Sequence, residues 1–218
     1  MSIISGRVYN ACRENNAIEG CTVSEEIFGK GEVSVVCFCL DANTDISAET
    51  YEYPKLMTVL SGCAETFGFN GTFGQLKEDK SISVPTGVPT GVRAKSPTVY
   101  TEINFGSNIK MNDKIKTGEV FSLKDIVPYE NGKIVNMDVA TSEKTKFVVM
   151  SFDEGTGLSE HAAPGDALIF ALDGKGIIGY EGSEYSISAG ENFRFAKGGK
   201  HYVKADGKFK MALLLTLE

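Results

Sequence analysis

The 218 residues include 29 acidic and 22 basic side chains, for a net charge of -7, and are 42% hydrophobic and 23% charged. This is the balance of a folded globular protein rather than a disordered one, and its excess negative charge would repel a phosphate backbone, so nucleic acid is not an expected partner. The length allows two units of roughly 100 residues, each able to bury its own core.

The opening twenty residues, MSIISGRVYNACRENNAIEG, lack the apolar run of a secretory signal, and no later run reaches the length of a membrane-spanning helix. A cytoplasmic location with no membrane partner is expected. Cys12, Cys21, Cys37, Cys39 and Cys63 all fall in the first half, and an odd count there is not a disulfide framework. Cys37 and Cys39 stand two apart in the apolar run Val33 to Leu40, so on a strand they share a face and read as core side chains rather than metal ligands. The polar stretch GSNIKMNDKIKTGE, at 106–119, breaks the pattern and is predicted to link a first domain over 1–105 to a second over 120–218. Just beyond it, Ser122 is placed to cap a short helical turn reaching Ile126. Four short apolar runs, 146–152, 167–172, 176–180 and 211–217, are bounded by Gly, Asp, Asn and Lys and read as strands. With 24 glycines in the chain, the predicted class is all-β, a sandwich or barrel.

The second half repeats the first. At an offset of 112, Leu56, Leu60 and Gly62 fall on Leu168, Leu172 and Gly174, and Val36, Asp41, Thr44 and Ser47 fall on Val148, Asp153, Thr156 and Ser159. One deletion later the offset is 111, where Gly87, Val92 and Ala94 match Gly198, Val203 and Ala205, while Val84 meets Phe195. Identities held in one register with a single gap indicate a tandem duplication.

Within the second copy, Gly155, His161 and Gly174 fit the spacing of the first motif of the cupins, Gly-x5-His-x-His-x3-Glu-x6-Gly, and Gly190 to His201 resembles the second, Gly-x5-Pro-x-Gly-x2-His-x3-Asn. In the first copy Ser83 to Arg93 is similar to the second-motif turn. The chain therefore resembles a two-domain cupin, or bicupin, which implies two tandem double-stranded β-helix (jelly-roll) barrels. The copies would then form an intramolecular pseudo-dimer, compatible with a further homodimer.

In that family three histidines and a glutamate hold a divalent metal at the barrel mouth. The resemblance places His161 and His201 at two of these positions, with Ala163 and Ala167 at the other two. It implies a zinc, nickel, iron or manganese ion held weakly in the C-terminal domain, or a small-molecule ligand there. The matching positions of the first copy, Glu49, Tyr51, Lys55 and Thr90, offer no metal site, since Lys55 opposes a cation. They are candidates for binding a small molecule, with an internal Glu49–Lys55 ion pair expected. A metal-dependent dioxygenase, isomerase or lyase and a non-catalytic interaction module are the competing readings. The two imidazoles are expected to meet at the C-terminal mouth. Strand parity then turns Val203, Phe193 and Phe195 inward and Tyr202, Lys204 and Arg194 outward. Asp166 is read as a turn residue bonding its own backbone, and Asp153 and Glu160 as solvated.

Overall fold

The computed structural model describes residues 3–217. Apart from the helix Ala11–Glu14 and the 3-10 turn Leu123–Asp125, its regular structure is β throughout, as the glycine-bounded apolar runs predict. No helix among the described residues is long and apolar enough to cross a membrane. Two compact units result, one holding residues 11–122 and the other residues 3–10 with 123–217. The expected boundaries shift accordingly. Residues 106–119 group with the first unit, where Gly118 N–H donates to Ser83 O and Val120–Phe121 pairs with Ser81–Val84. The strand Val8–Tyr9 pairs with Asn192–Phe195 in the second unit, facing Phe193 and Asn192. Ser122 does not cap the turn after it, because its buried hydroxyl has no hydrogen-bond partner.

The sequence repeat has a counterpart in the strand registers. In the first unit Tyr100, Glu102 and Asn104 lie opposite Val59, Met57 and Lys55; in the second, Met211, Leu213 and Leu215 lie opposite Ala171, Ile169 and Ala167. Irregularities recur at matching places. A register shift between Glu26 and Phe28 is answered by one between Asp138 and Ala140, and a shift between Ile46 and Glu49 by one between Leu158 and His161. Bulges re-aim the side chains that follow them, so copying a bulge copies the orientation of the site downstream.

The expectation is two tandem jelly-roll barrels; among the described strands the sheets are layered and none closes on itself. In the first unit, one sheet runs Val120–Phe121, Ser81–Val84, Lys55–Ser61, Thr98–Asn104, Val33–Leu40, Thr22–Lys30, and the other Asp45–Glu49, Thr90–Ala94, Cys63–Gly68, Gly71–Lys77. Neither path returns to its start among the described strands. The layers are joined by side chains instead: Met57, Val59, Ile82 and Tyr100 of one sheet pack with Ala64, Leu76, Val92 and Ala94 of the other. In the second unit the long strands Asp166–Tyr180 and Lys200–Thr216 bend through both layers, so a single sheet carries them. The first unit interrupts the matching strands, one at Gly62 and the other at Ser96–Pro97, where proline supplies no N–H to a ladder.

Gly62 and Gly174, which match in the repeat, are both required by geometry. Their φ angles are 86° and 69°. A Cβ on Gly174 would run into the Lys208 carbonyl, and one on Gly62 into the Pro97 carbonyl. No other residue allows both the left-handed backbone and the close approach.

Candidate functional site

In the C-terminal unit, Gly157–Ala162 pairs with Lys200–Thr216 so that His161 lies directly opposite His201. The two rings, 40 positions apart in sequence, thus meet at a centroid distance of 4.2 Å, with the planes inclined at 53°. His161 is exposed, while His201 is 7% exposed and stacked on Phe195 at 4.0 Å and 24°. Phe195 is held in turn by Phe193 at 5.3 Å and Tyr180 at 5.5 Å, and the Tyr180 hydroxyl receives the Ala196 N–H. Phe193, Phe195 and Val203 belong to the core, as parity requires.

Each histidine is tied at Nδ1 to a carbonyl two residues before it, His161 to Ser159 O at 2.8 Å and His201 to Gly199 O at 3.2 Å. A carbonyl only accepts, so Nδ1 is the donor in each bond, and in the neutral ring this leaves the Nε2 lone pair available. Burial pushes the His201 pKa below its ordinary value, and the neighbouring His161 lowers it further against the opposing Gly199 hydrogen bond. Ala163 and Ala167, at the other two positions of the motif resemblance, are each 3% exposed. Among the described residues no three His, Cys, Asp or Glu side chains converge as a metal-binding group. Two imidazoles do not complete a resident catalytic metal centre, which takes three protein ligands and an open position.

The surroundings correct two sequence expectations, those for Asp166 and Asp153. Asp166 begins a strand and accepts from Arg194 Nη2 at 3.0 Å; Arg194 Nη1 also donates to Ile3 O at 3.2 Å, which secures the N-terminal segment of this unit. Asp153 is buried rather than solvated, and accepts the Gly132 N–H at 2.7 Å. Both carboxylates gain more from a local donor than from hydration, a partnership that sequence spacing does not display. Tyr202 is half-buried and its hydroxyl donates to Glu184.

In the N-terminal unit the four corresponding residues are only partly brought together. Glu49 is exposed opposite Thr90, whose buried hydroxyl donates to Val88 O at 3.2 Å. The expected Glu49–Lys55 pair is replaced by Lys55–Glu102, at 3.1 Å, because Glu102 on the neighbouring strand shares the inner face with Lys55. The Lys55 ammonium also lies 3.7 Å from the centre of the Tyr51 ring. Burial raises the Glu102 pKa, Lys55 works against that rise, and the negative charge of Glu49 adds to it. Tyr100 is 1% exposed and stacked on Phe38 at 4.9 Å; its hydroxyl faces Glu102 without completing a well-oriented hydrogen bond. Sequence reasoning missed both Tyr100 and Glu102. Their alternation in Thr98 to Asn104 marks a common face, but only the pairing shows that this face meets Lys55.

Comparison with known proteins accords with this geometry. Residues 148–217 match the family model of the cupin domain. A search of curated proteins finds no match. Among solved structures, the cupin 2 conserved barrel domain protein from Leptotrichia buccalis is 25% identical, with a TM-score of 0.87 and 98% of each chain covered. A putative glyoxylate-induced protein from Pseudomonas aeruginosa is 12% identical, with a TM-score of 0.66 over 99% of this chain and 90% of that one. An oxalate decarboxylase from Bacillus subtilis is also 12% identical, with a TM-score of 0.54 over 99% of this chain and 78% of its own. The last two likenesses concern the fold alone.

Proposed function

We propose that this chain, a cupin-fold protein, is a bicupin that binds a small molecule at the mouth of its C-terminal unit, with His161 and His201 as paired acceptors. The observation that carries this reading is the common orientation of the two rings: both Nδ1 atoms are committed to backbone carbonyls, and both Nε2 atoms are left for a guest. The stacked Phe195 supplies an apolar wall beside His201, a combination suited to a ligand with one polar donor group on an apolar body. A divalent ion at this pair would be held by two protein ligands and completed by water or by the ligand itself. It would therefore exchange readily.

Calorimetric titration with zinc, nickel, iron(II) and manganese tests the pair directly. The expected result is weak binding of one ion of the zinc or nickel kind per chain, abolished by His161→Ala and by His201→Ala. A chelator should remove it without lowering the melting temperature. Tight binding that survives both substitutions would place the site elsewhere.

A further inference from the structure

The two units secure their equivalent hairpins differently. Gly68 pairs with Gly71 across a two-residue turn as Tyr180 pairs with Ser183, and Phe67 faces Gly91 as Gly179 faces Tyr202, so Gly68 and Phe69 hold the places of Tyr180 and Glu181. In the C-terminal unit the hairpin is latched to the turn before His201. The Tyr180 hydroxyl accepts the Ala196 N–H at 3.3 Å, and the Glu181 carboxylate accepts the Lys200 N–H at 2.6 Å. The Tyr180 ring packs on Gly6 and Gly199, where an added Cβ would come within 3.2 and 2.6 Å of it. The N-terminal unit has lost every part of this latch. Gly68 and Phe69 carry no acceptor, and Pro85 and Pro89, in place of Ala196 and Lys200, carry no N–H. Gly118 stands in place of Gly6, and a Cβ there would meet only Pro85 Cγ, at 4.0 Å. What remains is a cavity of about 420 Å³ between hairpin and turn. Phe69, Phe73 and Val88 line it and are 90%, 38% and 46% exposed. Exposed apolar side chains gathered round one concavity mark a binding surface.

We infer that this cavity binds a small aromatic amine, its ring seated where Tyr180 sits in the other unit. The ring follows from the internal comparison, because the same hairpin, turn and leading segment enclose an aromatic ring in the C-terminal unit and leave its place open in the N-terminal one. Phe69 and Phe73 supply aromatic walls that such a ring meets edge-on or offset. Charge selects the head group. Glu119 is the charged residue of the lining, which holds no lysine or arginine, so an ammonium gains a partner there and a carboxylate is repelled. The site is separate from the motif positions of the same unit, since none of Glu49, Tyr51, Lys55 and Thr90 lines the cavity. It does not depend on the histidine pair.

The test is saturation-transfer NMR and calorimetry on the full chain with phenethylamine as the probe, and with phenylacetate and butylamine as comparisons. Phenethylamine should bind saturably, one molecule per chain. Phenylacetate should bind about fivefold more weakly, the scale of an exposed ion pair, and butylamine, which lacks the ring, should not bind measurably. Phe69→Ala removes a wall at an exposed turn without emptying the core, and should weaken phenethylamine binding about tenfold. Glu119→Gln should abolish the preference for phenethylamine over phenylacetate, and His201→Ala should leave binding unchanged. The inference is overturned if phenethylamine does not bind, if phenylacetate or butylamine binds as well, if Phe69→Ala retains the affinity, or if Glu119→Gln keeps the preference. A dimer that depends on Phe69, in a chain that binds no probe, would overturn it in favour of a second copy as the occupant.

Discussion

Lys55→Ala lowers the free energy of unfolding by about 3 kcal/mol at neutral pH, the low end of the range for breaking a buried ion pair because Lys55 keeps some contact with solvent. The loss comes from Glu102, left buried with its charge unpaired. Adding Glu102→Leu recovers most of it, because the second unit carries Ala167 and Leu213 at these positions without strain. The pH dependence follows from the raised pKa of Glu102. A carboxyl whose folded pKa lies above its unfolded value of about 4.3 stabilises the fold while protonated, and that contribution is lost as pH rises through the folded pKa. Removing Lys55 takes away an interaction that holds this pKa down. The variant should therefore differ little from the parent at pH 4 and fall progressively behind it towards pH 7.5. Urea denaturation at the two pH values measures the difference, and an equal deficit at both would mean that Lys55 acts through packing alone.

Phe195→Ala costs about 3–5 kcal/mol, the usual penalty for emptying a buried aromatic site. Phe195 is 1% exposed and packs against Phe193, Tyr180 and His201, so little can collapse into the space. The site should suffer as well. Without the ring that covers it, His201 becomes better solvated and its pKa rises towards the ordinary value. In the parent protein the depressed pKa favours the neutral imidazole, so stability from this source is present above about pH 6.5 and is lost as pH falls below it. The variant should show a shallower acid loss. Phe195→Leu should recover more than half of the stability but not the stacked ring, and zinc affinity should follow the ring rather than the stability. Chemical denaturation across pH 5 to 8, alongside zinc calorimetry, separates the two effects.

Much of the architecture was legible in the sequence because duplication writes each structural requirement twice. Gly62 and Gly174 illustrate this: the same glycine in both copies signals the same left-handed turn against a carbonyl. The histidine pair was legible for a related reason, since motif spacing places His161 and His201 on facing strands. What spacing could not convey was which neighbour each buried charge would find. Lys55 has a carboxylate six residues before it, at Glu49, and takes instead one 47 residues away, because the Glu102 strand lies beside its own. For the same reason Asp153 reads as solvated and Asp166 as a turn residue, while their donors, Gly132 N–H and Arg194, lie 21 and 28 residues distant. The open sheets were hidden too. Periodicity shows which side chains face the core but is silent on whether the outermost strands pair.

If the two imidazoles form one site with both Nε2 atoms free, they should respond to a guest as a unit. The chain contains only two histidines, so a histidine-selective 15N NMR spectrum reports this site and nothing else. In the neutral form each ring should show a protonated Nδ1 and an unprotonated Nε2, and both Nε2 signals should move together, with one saturation point, as zinc is added. A protonated Nε2 on either ring, or a zinc response confined to one of them, would contradict the account.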